Sequence, residues 1–347
     1  MTAALLTGNS MYNELTGAST LAEVMAAVSR QVAEGQVGHL QPTPTGFSPL
    51  DEVLNGGLRL GDLFIVGGPS GVGKTIFALQ LARNVAAADP TCNVMYICYE
   101  HDRAHMMTRL LCMESAEHGL GDAALTFRRI NALMVESAPH AGLIERLSVD
   151  PVYAPMLANI GRYAQRLHLV KASGVQTTLE QIRLWVRRLT ISGARVLLVV
   201  DYLQKIPVDF GTVMHESEVT TYLAQGLKEL AMSAGIRILA VAAADRTGLQ
   251  SKRMRLHDMR GSSAIQYEAD IGVVLNNKHH IVSREHIVYN PVQAEAMRNW
   301  VVLSIEKNRS GRSSVDMEFQ LDAAHFHLDP RGGYVRDRLI DDRVTLE

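Results

Sequence analysis

The chain has 347 residues, 47% hydrophobic and 20% charged, with 34 Lys and Arg against 36 Asp and Glu for a formal charge of −2. That composition fits a soluble globular protein of one large or two ordinary domains and excludes disordered chains, fibrous chains and histone-like basic binders. Three cysteines, Cys92, Cys98 and Cys112, form no CxxC pair, which argues for reduced thiols over a disulfide framework or zinc knuckle.

Met1-Thr2-Ala3-Ala4-Leu5-Leu6 lacks a basic flank and a long apolar run, so it does not resemble a signal peptide. No stretch approaches the roughly 18 apolar residues of a membrane helix. The expected location is cytoplasmic, with no membrane partner. Residues 20–34 predict an amphipathic helix, with Leu21, Val24, Met25, Val28 and Val32 on one stripe. Such a stripe packs on its own domain or on a neighbouring subunit. Gly35, Gly38, Pro42, Pro44 and Gly46 mark a linker after it.

Continuous apolar runs then recur at 63–66, 94–98, 196–200, 238–242, 271–275 and 301–305, as expected of buried strands. Helical patterns at 75–88, 102–117, 177–191 and 217–234 alternate with the earlier runs. Alternation of this kind predicts an α/β fold with a mostly parallel twisted sheet flanked by helices. Functional loops then belong at the C-terminal strand ends. The division expected is an N-terminal segment 1–45, a core 46–335 with a helical insertion at 115–165, and a tail 336–347.

The most specific signal is Gly68-Pro69-Ser70-Gly71-Val72-Gly73-Lys74-Thr75, which fits G-x-x-x-x-G-K-[ST] between an apolar run and a helical pattern. Its glycines let backbone N–H groups turn towards phosphate oxygens, and the helix N-terminus adds partial positive charge. Lys74 is expected on the β- and γ-phosphates and the Thr75 hydroxyl on Mg²⁺. Asp201, at the end of the run 196–200, is the candidate to orient the metal. Glu100, at the end of the run 94–99, is either an ordinary strand-end carboxylate or the group that polarises the attacking water.

These residues resemble the RecA-like ATPase core of the DnaB-type replicative helicases, from about Gly46 to Asp329. Gly46-Phe47-Ser48-Pro49-Leu50-Asp51, Val200-Asp201-Tyr202-Leu203-Gln204, Arg260-Gly261-Ser262-Ser263-Ala264-Ile265 and Glu306-Lys307-Asn308-Arg309-Ser310-Gly311 carry the resemblance. It implies a Mg²⁺-dependent ATPase that forms a homo-oligomer, a hexameric ring, and acts on single-stranded DNA. It gives Glu100 the role of activating water. It makes Arg309, assisted by Lys307, a finger that completes the adjacent protomer's site. RadA- and KaiC-type ATPases share parts of the pattern. A repair or regulatory ATPase, a nucleotide-gated scaffold and a separate protein partner therefore stay open.

Two departures stand out. Ala243 occupies the place of the family's γ-phosphate-sensing glutamine, and alanine has no side-chain hydrogen-bonding group. Residues 1–45 have room for a linker helix and not for the family's N-terminal helical domain.

Arg246, Lys252, Arg253, Arg255 and Arg260 against Asp245 and Asp258 give one loop a local charge of +3. They are the candidate contacts to a DNA backbone, with strong salt dependence expected. The segment Pro207 to Ser217 carries Asp209 and Glu216 and no Lys or Arg. His279, His280 and His286 match no metal-ligand spacing and predict an exposed polar hairpin. Arg183, Arg187 and Arg188 predict a solvated helix face near a subunit contact.

Overall fold

The computed structural model describes residues 19–38, 40–191, 193–209, 215–245, 248, 251–282 and 295–340. The chain opens with α1 (Leu21–Ala33) and α2 (Ser48–Val53), followed by β1 (Leu63–Gly67), α3 (Lys74–Ala88), β2 (Cys92–Cys98) and α4 (Arg103–Glu117). Three short helices come next: α5 (Phe127–Ser137), α6 (Leu143–Val149) and α7 (Ala154–Gly161). Then come β3 (Leu167–Lys171), α8 (Leu179–Thr190), β4 (Arg195–Asp201), α9 (Glu216–Ser233), β5 (Arg237–Val241), α10 (Ser262–Glu268) and β6 (Ile271–Asn277). The last elements are α11 (Lys278–Ile281), β7 (Trp300–Asn308), β8 (Val315–Asp322), β9 (His327–Leu328) and β10 (Gly333–Tyr334).

These strands make one sheet in the order β10-β8-β7-β6-β1-β5-β4-β2-β3, with β9 on β8. Pairs from β6 through β1, β5, β4 and β2 to β3 are parallel; β6–β7, β7–β8, β8–β9 and β8–β10 are antiparallel. Helices cover both faces. One layer packs α3 against Phe64, Val66, Tyr96, Leu197 and Val199, with Phe77 tilted against Phe47 at 4.9 Å. The other packs α8 and α9 against Leu63, Ile65, Leu198, Val200 and Ile238. A satellite core of Leu111, Leu125, Ile130, Leu147, Tyr153 and Met156 holds the 118–161 helices onto α4.

The predicted strands correspond to β1, β2, β4, β5, β6 and β7. The last of these runs antiparallel to β6, so the parallel pattern stops there. The histidine segment differs from expectation. His279 and His280 lie on α11, capped by the Asn277 side chain, and Lys278 is buried between Glu318 and Asp337. The Asn277 cap starts a helical turn within the connection between the antiparallel strands β6 and β7. His286 lies outside the described residues.

Thr20 and Glu23 cap α1 reciprocally. None of its residues is buried, and Leu21 and Met25 are 75% and 61% exposed. Among the described residues no helix is long and apolar enough to cross a membrane.

Candidate active site

The parallel register sets the site. Cys98 pairs with Asp201, Val200 with Ala240, and Val66 with Val241. The chain segments leaving β1, β2, β4 and β5 therefore emerge at one edge of the sheet. There they line a cleft of about 450 Å³ formed by the glycine-rich loop, Lys74, Thr75, Glu100, Asp201 and the Val241–Ala244 backbone.

The loop needs its glycines for steric reasons. At Gly68 (φ +145°) a Cβ would sit 2.5 Å from the Leu275 carbonyl oxygen. Gly73 caps α3 at φ +105°, a region that L side chains avoid. The N-terminal N–H groups of α3 and the Lys74 ammonium thus face one small space. Lys74 Nζ donates to the Gly68 carbonyl at 2.7 Å and to the Pro69 carbonyl at 2.8 Å. Burial lowers its pKa, and the negative charges of Asp201 and Glu100 oppose that shift.

Asp201 is 1% exposed at the end of β4. Its Oδ2 accepts from the Tyr96 hydroxyl at 2.8 Å, and Thr75 lines the same cleft beside it. Burial pushes this carboxyl up, Glu100 adds to the rise, and Thr75, Tyr96 and Lys74 pull it down. Burial also raises the Tyr96 phenol well above its ordinary value, so it stays a donor. Glu100 is exposed on the cleft wall. Among the described residues no three His, Cys, Asp or Glu side chains gather as a metal cage. The oxygen donors present, Thr75 and Asp201, are the kind and number that suit Mg²⁺ completed by water and phosphate oxygens.

Sequence reasoning missed part of the cleft: Arg109, His101, Tyr202 and Phe326 also line it. Arg109 Nη2 donates to His101 Nε2 at 3.1 Å, and its guanidinium lies 5.1 Å from the Phe326 ring centroid. Burial, followed by the Arg109 charge, lowers the His101 pKa, in keeping with a neutral ring that accepts. His101 in turn stacks on His105 at 4.2 Å. Arg109 lies on α4, which follows Glu100 after an Asp102 cap. That helical reach was the available signal. Ala243 lies in the cleft wall, its N–H donating to Gln204 Oε1 at 3.0 Å.

Lys307 and Arg309 lie elsewhere. Asn308 pairs with Ile271, which pairs with Phe64 near the start of β1, so both cations sit at the sheet edge opposite the glycine-rich loop. Arg309 contacts Asp270 Oδ1 at 3.2 Å and the Tyr267 carbonyl at 2.6 Å, and its side chain is 51% exposed. Lys307 donates to the Gln266 and Tyr267 carbonyls.

The basic loop is less basic at its surface than its sequence implies. Arg253 is 5% exposed and bound to Asp316 and Ser304, and Arg255 is paired with Glu306 at 3.0 Å. Guanidiniums turned into the fold and neutralised there do not reach a nucleic-acid backbone, so these two leave the candidate DNA surface. Lys252 is exposed; Arg260 is partly exposed and pairs with Glu216 at 2.6 Å. Arg246 and residues 210–214 lie outside the described residues. On α8, Arg187 and Arg188 are exposed, while Arg183 pairs with Glu180 and Glu229.

The family profile described as DnaB-like helicase C terminal domain matches residues 43–328. The chain is 28% identical over 236 residues to the replicative DNA helicase DnaB of Geobacillus stearothermophilus, covering 67% of this chain and 47% of that protein. It is 27% identical over 287 residues to DnaB of Rickettsia bellii, covering 81% and 53%. The chain thus spans about half the length of the curated relatives it matches. Among solved structures, one isolated ATPase domain superposes with a TM-score of 0.68 at 20% identity, covering 90% of this chain and 99% of that one. A DnaB-like replicative helicase studied with its primase interactions gives 0.63 at 19% identity, covering 92% and 70%. Both share the fold.

Proposed function

The chain belongs to the DnaB-like helicase C-terminal domain family, and on that premise we propose that it is a Mg²⁺-dependent ATPase that works as a hexameric ring on single-stranded DNA. The observation that carries the reading is the convergence of Lys74, Thr75, Asp201 and Glu100 on one cleft at the C-terminal edge of the parallel strands. The α3 N-terminus and Lys74 bind the β- and γ-phosphates. Thr75 and Asp201 would hold Mg²⁺, which when bound would neutralise charge on the transferred phosphoryl group. Glu100 orients water in line with the γ-phosphate.

The ring reading rests on two further features. Arg309 and Lys307 stand at the edge opposite their own cleft, where a neighbour's cleft can meet them. The apolar stripe of α1 is uncovered in the single chain, and a neighbouring subunit is the partner that would bury it. A separate protein partner, such as a primase, is a further proposal suggested by the relatives' roles.

A second reading, ATP-gated ring assembly or a regulatory ATPase without strand separation, is favoured by specific observations. Ala243 lines the cleft without a polar side chain, and Arg260 is neutralised by Glu216. Steady-state ATPase measured at low salt with and without single-stranded DNA separates the two. Strong stimulation that fades with salt supports the motor. Turnover indifferent to DNA supports a regulatory ATPase, and ATP-dependent assembly with negligible turnover supports the gated ring and contradicts the motor.

A further inference from the structure

We propose that Tyr96 is a positioning residue for the metal half of the nucleotide site, holding the Asp201 carboxylate in a fixed rotation through its hydroxyl. The inference rests on the assignment of Asp201 and Thr75 to Mg²⁺ made above.

The sheet register makes the contact. Tyr96 on β2 pairs with Val199 on β4, so Asp201, two residues further along, is its diagonal neighbour on the same face. A tyrosine is long enough to bridge that diagonal, and its Oη lies 2.8 Å from Asp201 Oδ2. The rest of β2 at this depth is apolar: Val94, Ile97 and Cys98 are all fully buried. Packing alone would be served by phenylalanine. A hydroxyl at a position with no solvent access needs a partner, and here that partner is the carboxylate.

Thr75 also favours the charged form of Asp201, but its hydroxyl is the candidate metal ligand. The Thr75 hydroxyl is committed to that task, whereas the Tyr96 hydroxyl bonds the Asp201 carboxylate alone. With Oδ2 engaged by Tyr96, Oδ1 is the oxygen left for a contact in the cleft that Asp201 lines. That is the arrangement a water-mediated metal contact requires.

The test is Mg²⁺ dependence of nucleotide binding in Tyr96→Phe, followed with a fluorescent ADP analogue with and without Mg²⁺. Affinity without Mg²⁺ should stay within about twofold of the parent. The extra affinity gained on adding Mg²⁺ should shrink by about tenfold, the scale of one hydrogen bond to a charged group. In an Asp201→Asn background, Tyr96→Phe should cause no further loss, because the acceptor it positions is already altered.

Equal loss with and without Mg²⁺, or the same loss in the Asp201→Asn background, would mean that Tyr96 only packs the strand and would overturn the proposal. A variant matching the parent under both conditions overturns it as well, leaving the site reading intact. A parent whose nucleotide affinity ignores Mg²⁺ would overturn the metal assignment itself, and this inference with it.

Discussion

Lys74 and Arg309 lie at opposite edges of one sheet. The Arg309 N–H donates to the Asp270 carbonyl, and the Asp270 N–H donates to the carbonyl of Leu63, the first residue of β1. Lys74 follows the loop that leaves Gly67, the last residue of β1. At about 3.3 Å per residue the length of β1 sets the two ends of the strand roughly 15 Å apart. If Arg309 is the proposed finger, this placement requires that it serve a neighbouring subunit. Arg309→Ala should bind nucleotide like the parent and lose about 10³-fold or more in turnover. Equilibrium binding beside steady-state rates checks both halves.

Glu100→Gln should separate binding from chemistry in a different way. Its carboxylate lines the cleft without bonding the phosphate loop, so nucleotide affinity should hold. Removing the base should cost about 10²–10⁴-fold in turnover. Single-turnover hydrolysis is the measurement, since it excludes product release as the source of the loss.

Glu114 is the most heavily partnered buried carboxylate described. Arg83 Nε approaches it at 3.1 Å and the Tyr163 hydroxyl at 2.5 Å, joining α3, α4 and the chain after α7. Its side chain is 1% exposed. Glu114→Ala leaves Arg83 with Glu117, 3.0 Å away, as its remaining acidic partner and strips the buried Tyr163 hydroxyl of its acceptor, which should cost about 2 kcal/mol. Glu114→Gln, which retains an acceptor for Tyr163, should cost less. Urea midpoints at constant m-value give the comparison.

The buried thiols predict an alkaline limit to stability. Burial, with a smaller push from Asp89, raises Cys92 to about 11, and burial raises Cys112 to about 12, from an ordinary 9. Above pH 9 the unfolded chain releases thiol protons that the fold retains, so stability declines as pH rises towards the folded values. Thermal melts from pH 8 to pH 10.5 should show Tm falling. The double variant Cys92→Ala, Cys112→Ala should flatten that decline. Neither thiol should react with a disulfide reagent in the native protein at pH 7.

Surface charge gives a prediction for DNA. Lys252→Ala should weaken binding to single-stranded DNA and lower its salt slope by about one unit if Lys252 contacts a phosphate. Arg253→Ala should change stability more than DNA affinity, because its guanidinium is spent on Asp316 and Ser304. Binding isotherms at several salt concentrations, with melts of the same variants, distinguish the two effects.

Much of this was legible in the chain. The glycine-rich loop is a local motif, so Lys74 and Thr75 announced themselves. Strands buried on both faces appear as unbroken apolar runs, which marked β1, β2, β4, β5, β6 and β7. β3 escaped because it is a half-exposed edge strand containing His168 and Lys171. β8 escaped because it alternates, with Met317 and Phe319 buried between more exposed neighbours. Direction is a long-range property, so the antiparallel turn of β7 had no local sign. Arg253 and Lys252 look alike in a sequence; only the fold shows which one meets Asp316. Tyr96 looked like one more apolar strand residue until the register set it diagonal to Asp201.

A site shared between two subunits makes two inactive variants complementary, and mixing them is the decisive measurement. Lys74→Ala should fail at the phosphate loop and Arg309→Ala at the finger. Mixed subunits create interfaces in which an intact Lys74 faces an intact Arg309, and ATP turnover should return. A mixture that forms oligomers yet stays as inactive as either variant alone would rule out a site shared between subunits.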